Sequence, residues 1–325
     1  MKPDWRIAVA VPAIVAAAFL APVAAFAQAY PAKPVRVVVV FPPGGSNDVV
    51  ARVVFQKMSE MMGQQFAIDN RGGAAGTIGA DLVAKSPPDG YTLMVQSATH
   101  MANAHLYRSL PYDTLGDFIG ITTMARQVAM LVVHPSMPVK TTAEFIALAK
   151  RRPGEIVYGS AGNGSLLHLA MALLNSMTGT KMIHVPYKGG GPVNIAIASG
   201  EVQAVVATIA SVIPNIRSER VRPIAVTSDK RTTQFPDVPA LAEAIPGYEF
   251  TAWIACFAPK GTPRPIVDRL NAELKKVLDH PDVAKNLSSQ TLDPMHMTPE
   301  QFAQRLASDY DKYANVVKIS GAKID

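Results

Sequence analysis

Two glycine-rich corners in this chain have the residue types to hold an anion. The first is Phe41-Pro42-Pro43-Gly44-Gly45-Ser46-Asn47-Asp48, where an apolar run of valines ends and a helical pattern begins. The second runs from Gly159 through Ser160, Ala161, Gly162, Asn163 and Gly164 to Ser165, again between an apolar strand pattern and an apolar helix. Glycines let the backbone approach a ligand closely, and the first-turn N–H groups of a helix lack intrahelical partners. A carboxylate or phosphate placed there would satisfy them. Each corner also reads as a plain strand-to-helix connection, the first with Ser46 as N-cap and Asp48 complementing the helix dipole.

Other chemistries are poorly supported. The Gly162-Asn163-Gly164 segment resembles a dinucleotide fingerprint, but Leu167 stands where the third glycine belongs and no acidic residue lies near position 182 to hold a ribose. Ser160 and Ser165 are not embedded in a G-x-S-x-G elbow, and His168 follows Ser165 by a single helical turn, so the three do not form a catalytic triad. The seven histidines never combine with carboxylates at a ligand spacing, and neither metal nor cofactor is expected. Cys256, the single cysteine, lies in the apolar run FTAWIACFAP and reads as a buried thiol. His168 shares a helical stripe with Ala172 and Asn175, which leaves it facing ligand, solvent or a polar contact. Tyr187 and Lys188, in HVPYKGGG, could supply a hydroxyl and a charge, or Lys188 could simply be solvated. Ser97 and Thr99 close a strand pattern, where open α/β sheets bind ligands. Ala74 to Gly79 reads as close strand-helix packing.

Strand and helix patterns that alternate along most of the chain must position these groups. VRVVVVF, FAIDN and YTLMVQS are each followed by a helical pattern, and IVYGS, MIHVPY, VQAVVAT and RPIAVTS make a second series. Alternation of this kind predicts mostly parallel sheets covered by helices. Thr141 and Glu144 form a capping box, as do Thr298 and Gln301. After Phe250 to Ala258 the pattern changes to two or three helices with no convincing strand between them. Packing of these helices on the first half implies two crossings, near residues 130 and 252. The expected architecture is two α/β lobes, 28–129 with 253–325 and 130–252, around a hinged cleft, with Thr208 ending a second-lobe strand at that cleft.

Lys2 and Arg6, the apolar stretch from Ile7 to Phe26 and the small residues Ala25 and Ala27 read as a secretory signal peptide over 1–27, cut after Ala27. A soluble, exported protein is expected. Removing Lys2, Asp4 and Arg6 lowers the formal net charge from +6 to +5, with no Lys/Arg block, so nucleic-acid binding is unsupported.

Taken in order, FPPGGSNDVVAR, DNRGGAAGTIGA, SPPDGYTL, YGSAGNGSLLHLA, HVPYKGGGP, IPGYEFTAW and FAPKGTP strongly resemble the Bug family of periplasmic solute-binding proteins, which serve tripartite tricarboxylate transporters. The resemblance covers nearly the whole chain after the leader. It implies a two-lobed Venus-flytrap protein, type II-like, that closes as a monomer on a small, usually carboxylated solute and delivers it to a membrane permease without chemistry. It places ligand contacts on Phe41, Gly44, Gly45, Ser46 and Asp48, on Ser97 and Thr99, and on Ser160, Ala161, Gly164, Ser165 and His168, with Tyr187 and Thr208 beside them. Asp48 would repel an anion directly, so its expected role is to orient the loop or a bridging water. Where many relatives have Asp-Leu-Leu-Gly-Gly-Gln this chain has NIAIASGE, and Ala207-Thr208 lacks an acidic residue that some relatives carry, which leans toward ligands without an amino group. A ligand-sensing partner of a membrane signalling system and a periplasmic hydrolase are the alternatives.

Overall fold

The computed structural model describes residues 30–324; the expected leader, with its cleavage after Ala27, lies outside the described residues. From β1 (Val35–Val39) the chain passes through α1 (Ser46–Met62), β2 (Phe66–Asn70), α2 (Thr77–Ala84), β3 (Thr92–Ser97), α3 (Thr99–Leu106) and β4 (Phe118–Gln127). It continues through β5 (Ala129–Val133), α4 (Thr142–Arg151), β6 (Val157–Ser160), α5 (Leu166–Thr178), β7 (Ile183–Pro186), α6 (Gly190–Ser199), β8 (Ala204–Thr208), α7 (Ile209–Arg217), β9 (Arg222–Val226) and α8 (Leu241–Ala244). The last third holds β10 (Ala252–Pro259), α9 (Arg264–Leu278), α10 (Pro281–Ser289), β11 (Leu292–Pro294) and α11 (Pro299–Ser320).

Two sheets form, one of six strands in the order β11-β4-β10-β3-β1-β2 and one of five in the order β7-β6-β8-β5-β9. Both are mixed, with most strands of each sheet running in one direction, as expected. β2, β1 and β3 are parallel, as are β7, β6 and β8, but β10 runs antiparallel to β3 and β4, and β5 runs antiparallel to β8 and β9. The reason is the path of the chain. A strand that follows a crossover helix ends at the cleft, whereas β5 and β10 arrive from the other sheet, start at the cleft and so run the opposite way. The short strand β11, absent from the sequence expectation, pairs with β4 through Leu292, Asp293 and Pro294; three residues are too few to show a period.

The valines of β1 are buried on both faces of the sheet. Val35, Val37 and Val39 pack with Val50 and Val54 of α1, Leu270 and Leu274 of α9 and Val283 of α10. Val38 belongs to the opposite core with Ala80 of α2, Met101 of α3 and Phe302 of α11. That core continues into the second lobe through Leu131, Leu169 and Phe145, because α11 packs against both α3 and α5. Both expected capping boxes are formed, Thr141 with Glu144 and Thr298 with Gln301. Cys256 is fully buried in β10, and burial pushes its thiol up, away from the thiolate form. Among the described residues no helix is long and apolar enough to cross a membrane.

His100, at the start of α3, is fully buried beside Tyr112, Phe118 and Phe257, and neither ring nitrogen has a hydrogen-bond partner. Burial lowers its pKa from 6.5 to about 4. A folded pKa below the unfolded one means that stability is complete above pH 6.5 and falls as the unfolded chain takes up a proton first. Acidification from pH 7 to 4 should therefore cost roughly 3 kcal/mol through this residue. Urea titrations at several pH values check this: His100→Phe should flatten the acid limb relative to the wild-type protein.

Candidate functional site

The first corner is held from behind by Asp48. This carboxylate is 3% exposed. It accepts hydrogen bonds from the Gly44 N–H at 2.9 Å, Arg52 Nε at 2.9 Å and Asn70 Nδ2 at 2.9 Å, and Asn70 also donates to the Phe41 carbonyl at 3.1 Å. Burial raises the Asp48 carboxyl, but the bonds from Arg52, Gly44 and Asn70 outweigh it and hold the group below the usual carboxylate range. Asp48 thus orients the loop from Phe41 to Gly45, and no free charge remains to repel an anion. Gly45, at the N-cap of α1, provides no side-chain cap, which leaves first-turn amides open. Ser46 Oγ accepts from Gln127 Nε2 at 2.9 Å, which ties the loop to the last residue of β4 before the chain crosses to the other sheet.

Close packing sets the next corner. A Cβ on Gly79 would lie 2.7 Å from Val40 Cγ1 and 2.8 Å from the Arg71 carbonyl, so α2 can approach β1 only with glycine there. Ala75, with φ +53°, turns its carbonyl toward Asn103 of α3, whose Nδ2 donates to it at 3.0 Å. At the end of β3, the buried Ser97 donates through Oγ to Thr99 Oγ1 at 3.0 Å. Ala98, at the N-cap of α3, has no side chain to cap with.

In the second lobe the Ser160 hydroxyl donates to the Gly162 carbonyl at 3.0 Å and accepts from the Gly162 N–H at 3.2 Å. Tyr187 N–H donates to the Ser160 carbonyl at 3.0 Å and Gly189 N–H to the Ala161 carbonyl at 3.0 Å, so the loop is stapled to the segment after β7. The Tyr187 hydroxyl donates to Glu201 Oε1 at 2.7 Å instead of standing free; burial, then Glu201, push its pKa up to about 12. Lys188 is exposed. Thr208 pairs with Ala129 of β5 and precedes α7 without capping it.

Thr99, Ala161, Gly164 and Ser165 meet around one cavity of about 340 Å³, with Ala75, Asn103, Leu106, Gly162, Asn163, Leu166 and Ile324 completing the wall. Thr99, Asn103 and Leu106 have the spacing of a single helical stripe on α3. That stripe was the available signal for Asn103 and Leu106, and it reads equally well as core. No Lys or Arg lines this cavity. The N-termini of α3 and α5 border this cavity at Thr99 and at Ser165 and Leu166, and the helix dipoles place partial positive charge there.

Ser165 caps α5: its Oγ accepts from the His168 N–H at 3.2 Å, which leaves the hydroxyl hydrogen free to donate elsewhere. Ser165→Ala should lower the stability of the unliganded protein by about 1 kcal/mol and also weaken solute binding. Chemical denaturation and calorimetry on the same sample separate the two; an unchanged denaturation midpoint would show that the cap contributes nothing. His168 sits 3% exposed behind the loop and accepts from the Gly164 N–H through Nδ1 at 3.1 Å; it lines a different cavity from Gly164 and Ser165.

Residues 50–321 match the tripartite tricarboxylate transporter family receptor, TctC. The chain belongs to this family. The protein BugT of Bordetella pertussis is 36% identical over 314 residues, 96% of each chain. Two solved relatives have the same two-sheet α/β periplasmic binding protein fold. An R. palustris protein solved with adipate is 35% identical over 91% of this chain and 100% of that one, with a TM-score of 0.77. MatC from Rhodopseudomonas palustris, solved with bound malate, is 32% identical over 89% of this chain and 100% of that one, with a TM-score of 0.72. This TctC-family receptor is thus a binding protein and not an enzyme.

Proposed function

We propose that this TctC-family receptor captures a small organic acid between its lobes, 28–129 with 253–325 on one side and 130–252 on the other, and passes it to the membrane subunits of a tripartite transporter from the periplasm, as a monomer. The observation that carries this reading is the interlobe cavity, walled by Thr99 and Asn103 on one side and by the Ala161–Leu166 loop on the other, with helix N-termini and no cationic side chain. Such a site suits a carboxylate held by backbone N–H groups and hydroxyls. Adipate and malate in two solved relatives support the same ligand class. The loop from Phe41 to Ser46 and residues Ser97 and Thr99 take the first-lobe end of the solute, and Ser160 to Ser165 the other.

A thermal-shift screen of mono-, di- and tricarboxylates tests it. A true ligand at about 100 times its Kd adds about 2.7 kcal/mol to stability, and small-angle scattering with that acid should show a smaller radius of gyration as the lobes close. Absence of any stabilising acid, or turnover of ester or amide substrates, would overturn the reading.

A further inference from the structure

Behind the second-lobe loop two imidazole rings lie face to face, His168 of α5 and His184 of β7, with centroids 3.8 Å apart and planes within 6°. Tyr158 of β6, the register partner of His184 on the neighbouring strand, lies beside the pair, 5.0 Å from His184 and 6.4 Å from His168. Each imidazole holds one part of the loop. His168 Nδ1 accepts from the Gly164 N–H at 3.1 Å, so this nitrogen carries a lone pair and no proton. The Ser160 hydroxyl, 3.0 Å from the Gly162 carbonyl, also meets His184 Nε2 at 2.7 Å, so the second ring is hydrogen-bonded to the start of the loop.

We propose that His168 and His184 are positioning residues for solute binding: a neutral imidazole pair that holds the Ser160 to Gly164 backbone in its binding shape without touching the solute, and that lets go of Gly164 when His168 is protonated. Protonated Nδ1 would be a donor facing the donor N–H of Gly164, and the bond between them would be lost. The cavity wall offers an imidazolium no carboxylate partner. The cavity against these rings, about 400 Å³, has no Asp, Glu, Lys or Arg in its wall; its titratable groups are Tyr158 from β6 and His184 from β7, while α11 contributes Ile319 and Ser320 and α5 has no charged residue. Burial, and then His184, lower the His168 pKa to about 4. The inference rests on the reading of this loop as part of the carboxylate site.

Two substitutions separate the roles. His168→Asn keeps an acceptor near the position of Nδ1 and removes the titration, whereas His168→Phe keeps a ring for stacking and removes the acceptor. Hydrogen exchange at the Gly164 amide is read in the unliganded protein, and affinities for malate and adipate are read by calorimetry, both from pH 7 to 3.5. At pH 7, His168→Asn should match the wild-type protein within about twofold, and His168→Phe should lose protection at Gly164 and bind on the order of tenfold more weakly. The affinity ratio of wild type to His168→Asn, from which protonation of the acid itself cancels, should fall about fourfold between pH 5 and pH 3.5. A constant ratio, or Gly164 protection unchanged in His168→Phe, would overturn the proposal. If His168→Phe does not fold, the pH dependence of the wild-type to His168→Asn ratio for Gly164 protection still decides. If neither these two nor any other acid of the thermal-shift screen binds while Gly164 protection follows the imidazole, the carboxylate reading fails and the imidazole pair is left as the holder of the loop.

Discussion

Replacing Asp48 with alanine should destabilise the protein by about 2 kcal/mol and abolish binding at the first-lobe loop. The buried carboxylate accepts from the Gly44 N–H, Asn70 Nδ2 and Arg52 Nε, and alanine would take this acceptor from all three, leaving Asn70 with the Phe41 carbonyl alone and the exposed Gly44 N–H to water. Arg52 is half-exposed and can turn to solvent, so its share of the loss is small. Asn70, freed from Asp48, would also hold the Phe41 carbonyl less firmly. Urea denaturation at pH 7 checks the stability, and calorimetry with an acid found by the screen checks the binding. Because the folded carboxyl titrates below its unfolded value, its contribution is present above the unfolded pKa and is lost as the pH falls through the folded one. The difference between wild type and Asp48→Ala should accordingly shrink toward strongly acid pH. A loss of less than 1 kcal/mol at pH 7 would mean that Gly44 and Asn70 find other acceptors.

Gly164→Val should weaken solute binding by on the order of a hundredfold, while Lys188→Met should change it less than about twofold. Gly164 has φ +74°, and a Cβ there would lie 2.9 Å from Leu106 Cδ2 on α3, across the cleft. A β-branched residue would be strained in its own backbone and would also push the opposite wall away as the lobes close. Lys188 is exposed and lines neither the interlobe cavity nor the one behind it. Calorimetry on both variants distinguishes a backbone cradle from a cationic site: loss of binding in Lys188→Met with a silent Gly164→Val would reverse the assignment.

Local features of the chain were legible before any fold was known. A four-valine run followed by Pro-Pro-Gly-Gly reads as a strand that stops, because proline and glycine act on their own residue and its neighbours. Thr141 with Glu144 and Thr298 with Gln301 reach across three residues, so both caps could be read and both are formed. The glycine corners, the helix starts behind them and the ordered family motifs are of the same kind, and they determined the strand and helix series and the ligand class to test. The close packing expected at Ala74 to Gly79 is seen at Gly79 against Val40.

What tertiary structure decided involves partners far apart in sequence. Hydrophobic period marks β5 and β10 as strands but carries no information on direction; only their arrival from the opposite sheet makes them antiparallel. The hydroxyl of Tyr187 has the chemistry of a ligand donor, yet Glu201, fourteen residues away, takes it. His168 sits one turn above the anion corner and could face solute or solvent until β7 brings His184 against it at 3.8 Å and the loop turns the Gly164 N–H onto Nδ1. Thr99, Asn103 and Leu106 read as an ordinary helical stripe until the second lobe closes over them. Sequence spacing states which groups one segment can present; which of them remain unspent for a solute depends on the partners that the fold brings to each.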